Sequence, residues 1–442
     1  MSRPRPHAPA PAPATSVATQ ARTSRRSAIG FWSAAATYLV LLAGTNIPTP
    51  LYGHYASAFG FGPATLTAVF AVYVAALVPS LLFVGPLSDA IGRRMILIPA
   101  IALGVVGAAL FAGAQSTGWL YTARLVQGLA IGAASGAITA LIVEREPNAD
   151  RGRAAMVAAI AAVVGVGSGP LLGGLVAQYL PAPTVLPYLV EITLLLCAGV
   201  ATALLPEPNN RTPYQPRRPS IPEGIRSTFA VSGATSFVTW AVTAIFLTLV
   251  PSYAAVLTKS ANLALEGAIV AVLFAASALT ERLSFGNDPL ALQRVGLAAL
   301  VVGVGLLCWA GVAGSVWLLL AASVVAGIGQ GTAFLGAMTE INTIAPPERH
   351  AEVLSGFYVV TYLGTGIPVL GVGFLATSIG LLSAVEWFSA GAAAAAIALL
   401  GALLRQPSRV PATKDRPEAP PGQRSISMDH EAAGVTNFPA AR

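Results

Sequence analysis

The sequence predicts an all-α integral membrane protein whose twelve transmembrane helices form two pseudo-symmetric six-helix bundles. Three observations carry that expectation. First, the 442-residue chain is 55% hydrophobic and only 10% charged, with a mean hydropathy of +0.71. Soluble domains carry about 25% charged residues, so most of this surface must face lipid. Second, the apolar residues fall into twelve runs of hydrocarbon length. Third, the cations alternate in side from one loop to the next.

The elements follow in order. Residues 1–28 are rich in Pro, Ala, Ser and Arg without apolar periodicity and read as a disordered basic tail. A bilayer core needs about 20 apolar residues per helix. Runs that satisfy it lie at 31–56, 64–88, 95–114, 118–142, 154–180, 185–205, 228–256, 264–281, 292–312, 316–344, 353–377 and 381–404. The eighth is the shortest and is flanked by Glu266 and Glu281. Pro48 and Pro50 are expected to bend the first helix. The first six helices make one bundle (29–206) and the last six a second (227–405). The Pro-rich, basic stretch 207–226 reads as a linker, and 406–442 as a second disordered tail.

With both termini inside, every Lys and Arg except Lys259 and Arg124 falls on the inner face. This is the positive-inside pattern and supports twelve spans with cytoplasmic termini. The halves also repeat. A shift of 199 residues pairs Asp89 with Asp288, Gly128 with Gly327, Gly132 with Gly331, Gly165 with Gly364, Gly167 with Gly366 and Gly174 with Gly373. Duplicated six-helix halves with a site between them are a transporter architecture.

Composition also excludes classes. The net charge of +7 resides in loops and tails instead of on one nucleic-acid-binding face. Cys197 and Cys308 lie inside apolar runs as small hydrophobes, and the four histidines lack ligand spacing, so neither metal nor cofactor is expected. The two lysines, Lys259 and Lys414, follow no phosphate-cradling glycine loop, which argues against ATP-driven pumping. Clustered His, paired Asp or a Ser nucleophile with a base, as an intramembrane enzyme needs, is absent from the sequence.

Three stretches carry chemistry. The loop Gly85-Pro-Leu-Ser-Asp89-Ala-Ile-Gly92-Arg93-Arg94 combines turn glycines, an acid suited to a helix N-terminus and two cations able to pair with carboxylates. It suits a latch on the inner face. In the fourth helix, Arg124 shares a four-residue spacing with Gly128, Gly132, Gly136 and Ala140, so its guanidinium lies on a small-residue packing stripe. An intramembrane arginine costs about 2.5–3.5 kcal/mol at a helix centre and so faces a partner or cavity, or else snorkels to an interface. In the fifth helix, Ala161, Gly165, Gly169, Gly173 and Ala177 repeat the four-residue spacing and Pro170 is expected to kink it.

These residues resemble the major facilitator superfamily, and within it the twelve-helix drug:proton antiporters. The loop matches the family signature Gly-x-Leu-x-Asp-x-x-Gly-Arg-Arg, which implies a conformational-switch role for Gly85, Asp89, Gly92, Arg93 and Arg94. The stretch Arg124-Leu-Val-Gln127-Gly resembles the family's Arg-x-x-Gln-Gly motif, which is associated with proton coupling. The run from Gly165 through Gly169, Pro170 and Gly173 to Gly174 resembles the antiporter motif of exporters. The family places the first, fourth, seventh and tenth helices around a cavity, which implies Asn46, Tyr52, Trp240 and Gln330 as substrate contacts. The first-helix acid of many such antiporters is missing here. Glu191, Glu340 and Glu386 lie furthest inside apolar runs, and Glu340 is the first choice as proton carrier because the tenth helix borders the expected cavity.

The expectation is a secondary transporter, acting as a monomer in a bacterial plasma membrane, that exchanges protons for small amphipathic compounds by alternating access. Its partners would be a small-molecule substrate, protons and the lipid bilayer, with no nucleic acid and no cofactor. A sugar, amino-acid or metabolite carrier of the same superfamily is the alternative. A non-transporting receptor derived from a transporter is the alternative of another class.

Overall fold

The computed structural model of the chain describes residues 14–205, 213–214, 220–260 and 262–405. Twelve long helices organise it: α1 (Ala14–Gly44), α2 (Pro63–Phe83), α3 (Arg93–Ala112), α4 (Thr117–Arg145), α5 (Arg151–Tyr179), α6 (Leu186–Leu204), α7 (Arg226–Thr248), α8 (Leu263–Ser284), α9 (Pro289–Ala313), α10 (Val316–Ile344), α11 (His350–Ile379) and α12 (Leu381–Leu404). All twelve supply a segment long and apolar enough to cross a membrane. There is no β-strand among the described residues. Successive helices run antiparallel, so the loops divide between two faces. The basic face carries Arg93, Arg94, Arg145, Arg151, Arg153, Arg226, Arg282, Arg294, Arg349 and Arg405, and the far face carries Lys259.

Two elements depart from expectation. Helix α1 begins at Ala14, so residues 14–28 are helical where a disordered tail was expected. The reason is local: the last proline of the tail is Pro13, and Ala, Gln and Arg after it are good helix formers. Residues 1–13, most of the linker and the 406–442 tail lie outside the described residues. At the other end of α1, the prolines break the helix instead of bending it. Helix α1 stops at Gly44, a turn follows, and the chain resumes as Thr49–Leu51 and the short helix Tyr52–Phe59. Helix α7 breaks likewise at Leu249, before Pro251 in the short helix Val250–Thr258.

The packing repeats between the halves. In the first, α1 packs on α4, α5 and α6, α2 on α4, and α3 on α4 and α6; in the second, α7 packs on α10, α11 and α12, α8 on α10, and α9 on α10 and α12. The glycine pairs spaced by 199 residues occupy equivalent seams. A Cβ on Gly132 would lie 2.5 Å from the Leu77 carbonyl oxygen, and one on Gly331 2.6 Å from that of Ser277. A Cβ on Gly165 would lie 2.7 Å from the Leu39 oxygen, and one on Gly364 2.5 Å from that of Phe237. Asp89 and Asp288 are not equivalent: Asp288 caps α9 by accepting from the Ala291 N–H, whereas Asp89 pairs with Arg93.

The halves meet along α2–α11 and α5–α8. Their close approaches run from mid-helix to the far face. Gly366 faces Val74 and Gly373 faces Thr67 on one seam; Gly167 faces Phe274, Gly267 faces Pro170 and Gly174 faces Leu263 on the other. From mid-depth toward the basic face, the facing tyrosines Tyr38, Tyr73, Tyr358 and Tyr362 stay only half-buried.

Candidate functional site

Four stretches of α1, α4, α6 and the inter-half seam assemble the chemistry. The proline-broken segment after α1 supplies the first. Pro48 and Pro50 lack N–H donors, and the Thr49 N–H bonds the Asn46 carbonyl (3.1 Å), so the Thr45 carbonyl is left without a helical donor. Arg124 Nη1 donates to that oxygen. The Arg124 Nε donates to the Tyr52 hydroxyl (2.5 Å), and Nη1 also reaches Gln127 Oε1 at 3.2 Å. The rings of Tyr52, Phe70, Tyr73 and Phe111 surround the guanidinium at 5.4–5.7 Å.

Arg124 is 1% exposed. It does not snorkel; it is enclosed within the first half. Charge-assisted hydrogen bonds are worth about 1.5–3 kcal/mol each, and a desolvated cation–π contact about 2 kcal/mol. Together they offset the cost of burying one arginine in the membrane. Its Nη2 makes no hydrogen bond among the described residues.

Glu191 completes this cluster from α6. Its carboxylate is 3% exposed and Oε2 has no hydrogen-bond partner among the described residues. A Cβ built on Gly44 would overlap Glu191 Oε1, so the carboxylate lies against the last residue of α1. It also sits within electrostatic range of Arg124. Sequence reasoning noticed Glu191 as a deep acid but ranked Glu340 above it, and the signal it lacked was the pairing of α6 with α1. Glu340 is buried in α10 and has a partner of its own. It does not join Arg124. Shifted by the repeat, it matches position 141, roughly 25 Å from Arg124 along the helix.

The expected cavity residues separate. Tyr52 (1% exposed) is enclosed with Arg124 and does not line an open cavity in this structure. Gln330 is buried at the α8–α10 seam, where Ser277 Oγ donates to its Oε1; Ser277 also bonds Glu281 at 3.4 Å. Asn46 is buried, donates to the Leu42 carbonyl at 2.9 Å and packs against Gly169 of α5. Tyr52 and Gln330 each accept from a side chain of another helix, whereas Asn46 bonds back to Leu42 and Thr45 of its own segment. Trp240 lies on α7. It is half-buried, and its ring meets Phe334 edge-on at 5.6 Å. Phe334 stacks on Phe357 (6.2 Å), which adjoins Tyr358. Tyr38 and Tyr73 of the first half lie near Tyr358 and Tyr362 of the second. Tyr73, Tyr358 and Tyr362 escaped the sequence reading because α2 and α11 were not among the helices considered; Tyr38 lies on α1 but was not singled out.

The switch loop folds around Arg93. Gly92 has φ +114°, a backbone position that a side chain rarely adopts, between the short helix Leu87–Ile91 and α3. Arg93 pairs with Asp89, donates to Ser88 Oγ (2.9 Å) and reaches Glu144 of α4 at 3.0 Å. Asp89 lies in the first turn of the short helix Leu87–Ile91. Gly85 lies opposite Gly136 of α4, and Arg94 is exposed. A second hub, unforeseen, is Glu146: it accepts from the Asn148 and Asp150 N–H groups at 2.7 Å and from Arg153 at 3.0 Å.

The glycine run of α5 serves two seams. Gly165, Gly169 and Gly173 face carbonyls of α1 and its broken end at Leu39, Ala43 and Ile47, while Gly167 and Gly174 face α8. Pro170 lies within α5, and its carbonyl faces Gly267.

Comparison with known proteins places this arrangement. The family description Major Facilitator Superfamily matches residues 34–302 and 292–436. The multidrug resistance protein MdtL of Shewanella sp. (strain ANA-3) is 30% identical over 181 residues, 40% of this chain and 45% of MdtL. MdtL of Shewanella oneidensis is 32% identical over 165 residues, 36% of this chain and 41% of that protein. The chain thus spans less than half the length of these curated relatives. Among solved structures, the nucleoside transporter NupG superposes with a TM-score of 0.64 at 14% identity, covering 85% of this chain and 98% of NupG. The human organic anion transporter MFSD10 gives 0.61 at 17%, covering 85% and 99%. With its twelve spans and repeated halves, this chain belongs to the Major Facilitator Superfamily.

Proposed function

We propose that the protein exports small amphipathic compounds in exchange for protons, across a bacterial plasma membrane with both termini cytoplasmic. The observation that carries the substrate class is the set of half-buried aromatics contributed by both halves: Trp240, Phe334 and Tyr358 from the second, Tyr38 and Tyr73 from the first. Aromatic walls with sparse polar groups suit a ligand that is largely apolar with a polar end. Similarity to multidrug resistance proteins supports export.

Alternating access follows from the seams. The glycines that bring α2 to α11 and α5 to α8 hold the far face shut, and parting them while the basic face closes exposes the same aromatic surface to the other side. Gly85, Asp89, Gly92, Arg93 and Arg94 act as the switch loop, and Arg124 with Gln127 belongs to the coupling site. A proton gradient is a sufficient drive, since one charge crossing 100 mV is worth about 2.3 kcal/mol.

Purified protein in liposomes carrying an imposed pH gradient tests this. Ethidium and Hoechst 33342 should accumulate against their gradients, and a protonophore should collapse the accumulation. Dye movement indifferent to the protonophore would remove proton coupling. Movement of sugars or amino acids, with no dye moving, would replace the substrate class.

A further inference from the structure

The peptide joining Gly44 to Thr45, at the break after α1, is flanked by two buried ionisable side chains. On one side Glu191 Oε1 lies against Gly44. On the other, Arg124 Nη1 donates to the Thr45 carbonyl. Each group keeps one atom unused among the described residues: Glu191 Oε2 and Arg124 Nη2. They are within electrostatic range of each other and form no ion pair. We propose that Glu191 is the proton-carrying carboxylate of this transporter, and that its ionisation draws the Arg124 guanidinium from the Thr45 carbonyl and so frees the broken segment of α1.

The inference rests on the proton-coupled reading above and names the residue that would perform it. The neutral acid fits the arrangement in hand, where Oε2 has no donor. A carboxylate needs one, and Arg124 Nη2 is an unused donor nearby. The step is the gain or loss of one proton at the Glu191 carboxyl group, taken from water on one side of the membrane and returned on the other. Other charges do not intrude at this depth. Helices α1, α3 and α5 pack against α6. The described charged side chains of α3 and α5 are Arg93, Arg94, Arg151 and Arg153 at the basic face, and the described stretch of α1 from residue 28 holds only the phenol of Tyr38. On its own helix, Glu191 faces the Tyr188 hydroxyl, which lies 3.1 Å from that of Tyr55.

The consequence reaches the far-face seam through the chain itself. The turn Thr49–Leu51, a few residues beyond Thr45, packs against α5 and α8, the pair that closes the halves. Release of the Thr45 carbonyl therefore loosens the segment that rests on this seam.

The test uses the full-length chain in liposomes with ethidium as the probe. In wild type, gradient-driven ethidium accumulation and a pH-dependent ethidium exchange are expected. In Glu191→Gln, accumulation should fall to the level of protein-free liposomes and exchange should lose its pH dependence. A second measurement avoids any folding defect of the variant: wild-type protein is treated with a hydrophobic carbodiimide, which modifies buried protonated carboxyls, and the adduct is mapped by mass spectrometry. Labelling at Glu191 with loss of accumulation supports the inference. Adducts on Glu340, Glu281 or Glu266 without Glu191, or a Glu191→Gln protein that still accumulates dye, overturn it while leaving proton coupling intact. Wild type that ignores the gradient instead defeats the proton-coupled reading itself.

Discussion

Arg124 is a guanidinium 1% exposed, seven residues into a membrane helix, and every donor it uses meets an atom freed by something else. The Thr45 carbonyl is free because two prolines interrupt α1, and the Tyr52 hydroxyl arrives because the chain turns back into a short helix there. Removal of the side chain leaves those acceptors buried and the four-ring cage empty. Arg124→Ala should lower gradient-driven dye transport by about 100-fold or more while the protein still inserts, since its loss relieves a costly charge. Arg124→Lys keeps the charge but not the fork that serves three acceptors, so a loss of about 10-fold is expected. Efflux assays paired with quantitation of membrane-inserted protein check both.

At the scale of the element, α5 shows how small residues become geometry. Gly165, Gly169 and Gly173 lie four apart and bring the backbone of α1 against α5, where a Cβ would overlap carbonyl oxygens. Gly169→Ala should therefore destabilise the protein by about 1–3 kcal/mol through overpacking. Gly305 of α9 is the contrasting site, where a Cβ would meet nothing within 4 Å. Gly305→Ala should be neutral or slightly stabilising, by up to about 1 kcal/mol, as alanine is the better helix former. Thermal unfolding in detergent, read as a change in melting temperature, separates the two. Equal effects would deny the close α1–α5 seam its role.

For the whole molecule, the seams between halves define the state. A Cβ on Gly366 would lie 3.4 Å from Val74 Cβ, close to the span of about 3.5–4.5 Å across a disulfide. In a background lacking Cys197 and Cys308, Val74→Cys with Gly366→Cys should crosslink on mild oxidation and stop transport, and reduction should restore it. Crosslinked protein that still transports would mean that this seam need not open. Orientation is tested by single cysteines on opposite faces. Lys259→Cys should react with an impermeant maleimide added to intact cells, and Arg282→Cys only after permeabilisation; the reverse pattern would invert the topology.

Much of the fold was legible in the linear chain. Hydrocarbon-length apolar runs must become helices because lipid offers no partners for backbone groups. The 199-residue repeat of glycines foretold equivalent seams because a close approach tolerates no Cβ, wherever the partner lies. Three features were not legible. That the prolines break α1 outright depended on Arg124 and its neighbours to occupy the freed carbonyl. That Tyr52 and Gln330 are buried depended on donors brought by other helices, Arg124 and Ser277. That Glu191 lies against Gly44, one residue from the carbonyl that Arg124 holds, depended on α6 packing against α1, which no periodicity within either helix encodes. The sequence by itself determined the spans, their alternation and their duplicated plan, since these follow from transfer free energies local to each segment. Only the tertiary structure decided which buried charges share a site, because electrostatic partnership in a membrane is a matter of distance between helices and not of position along them.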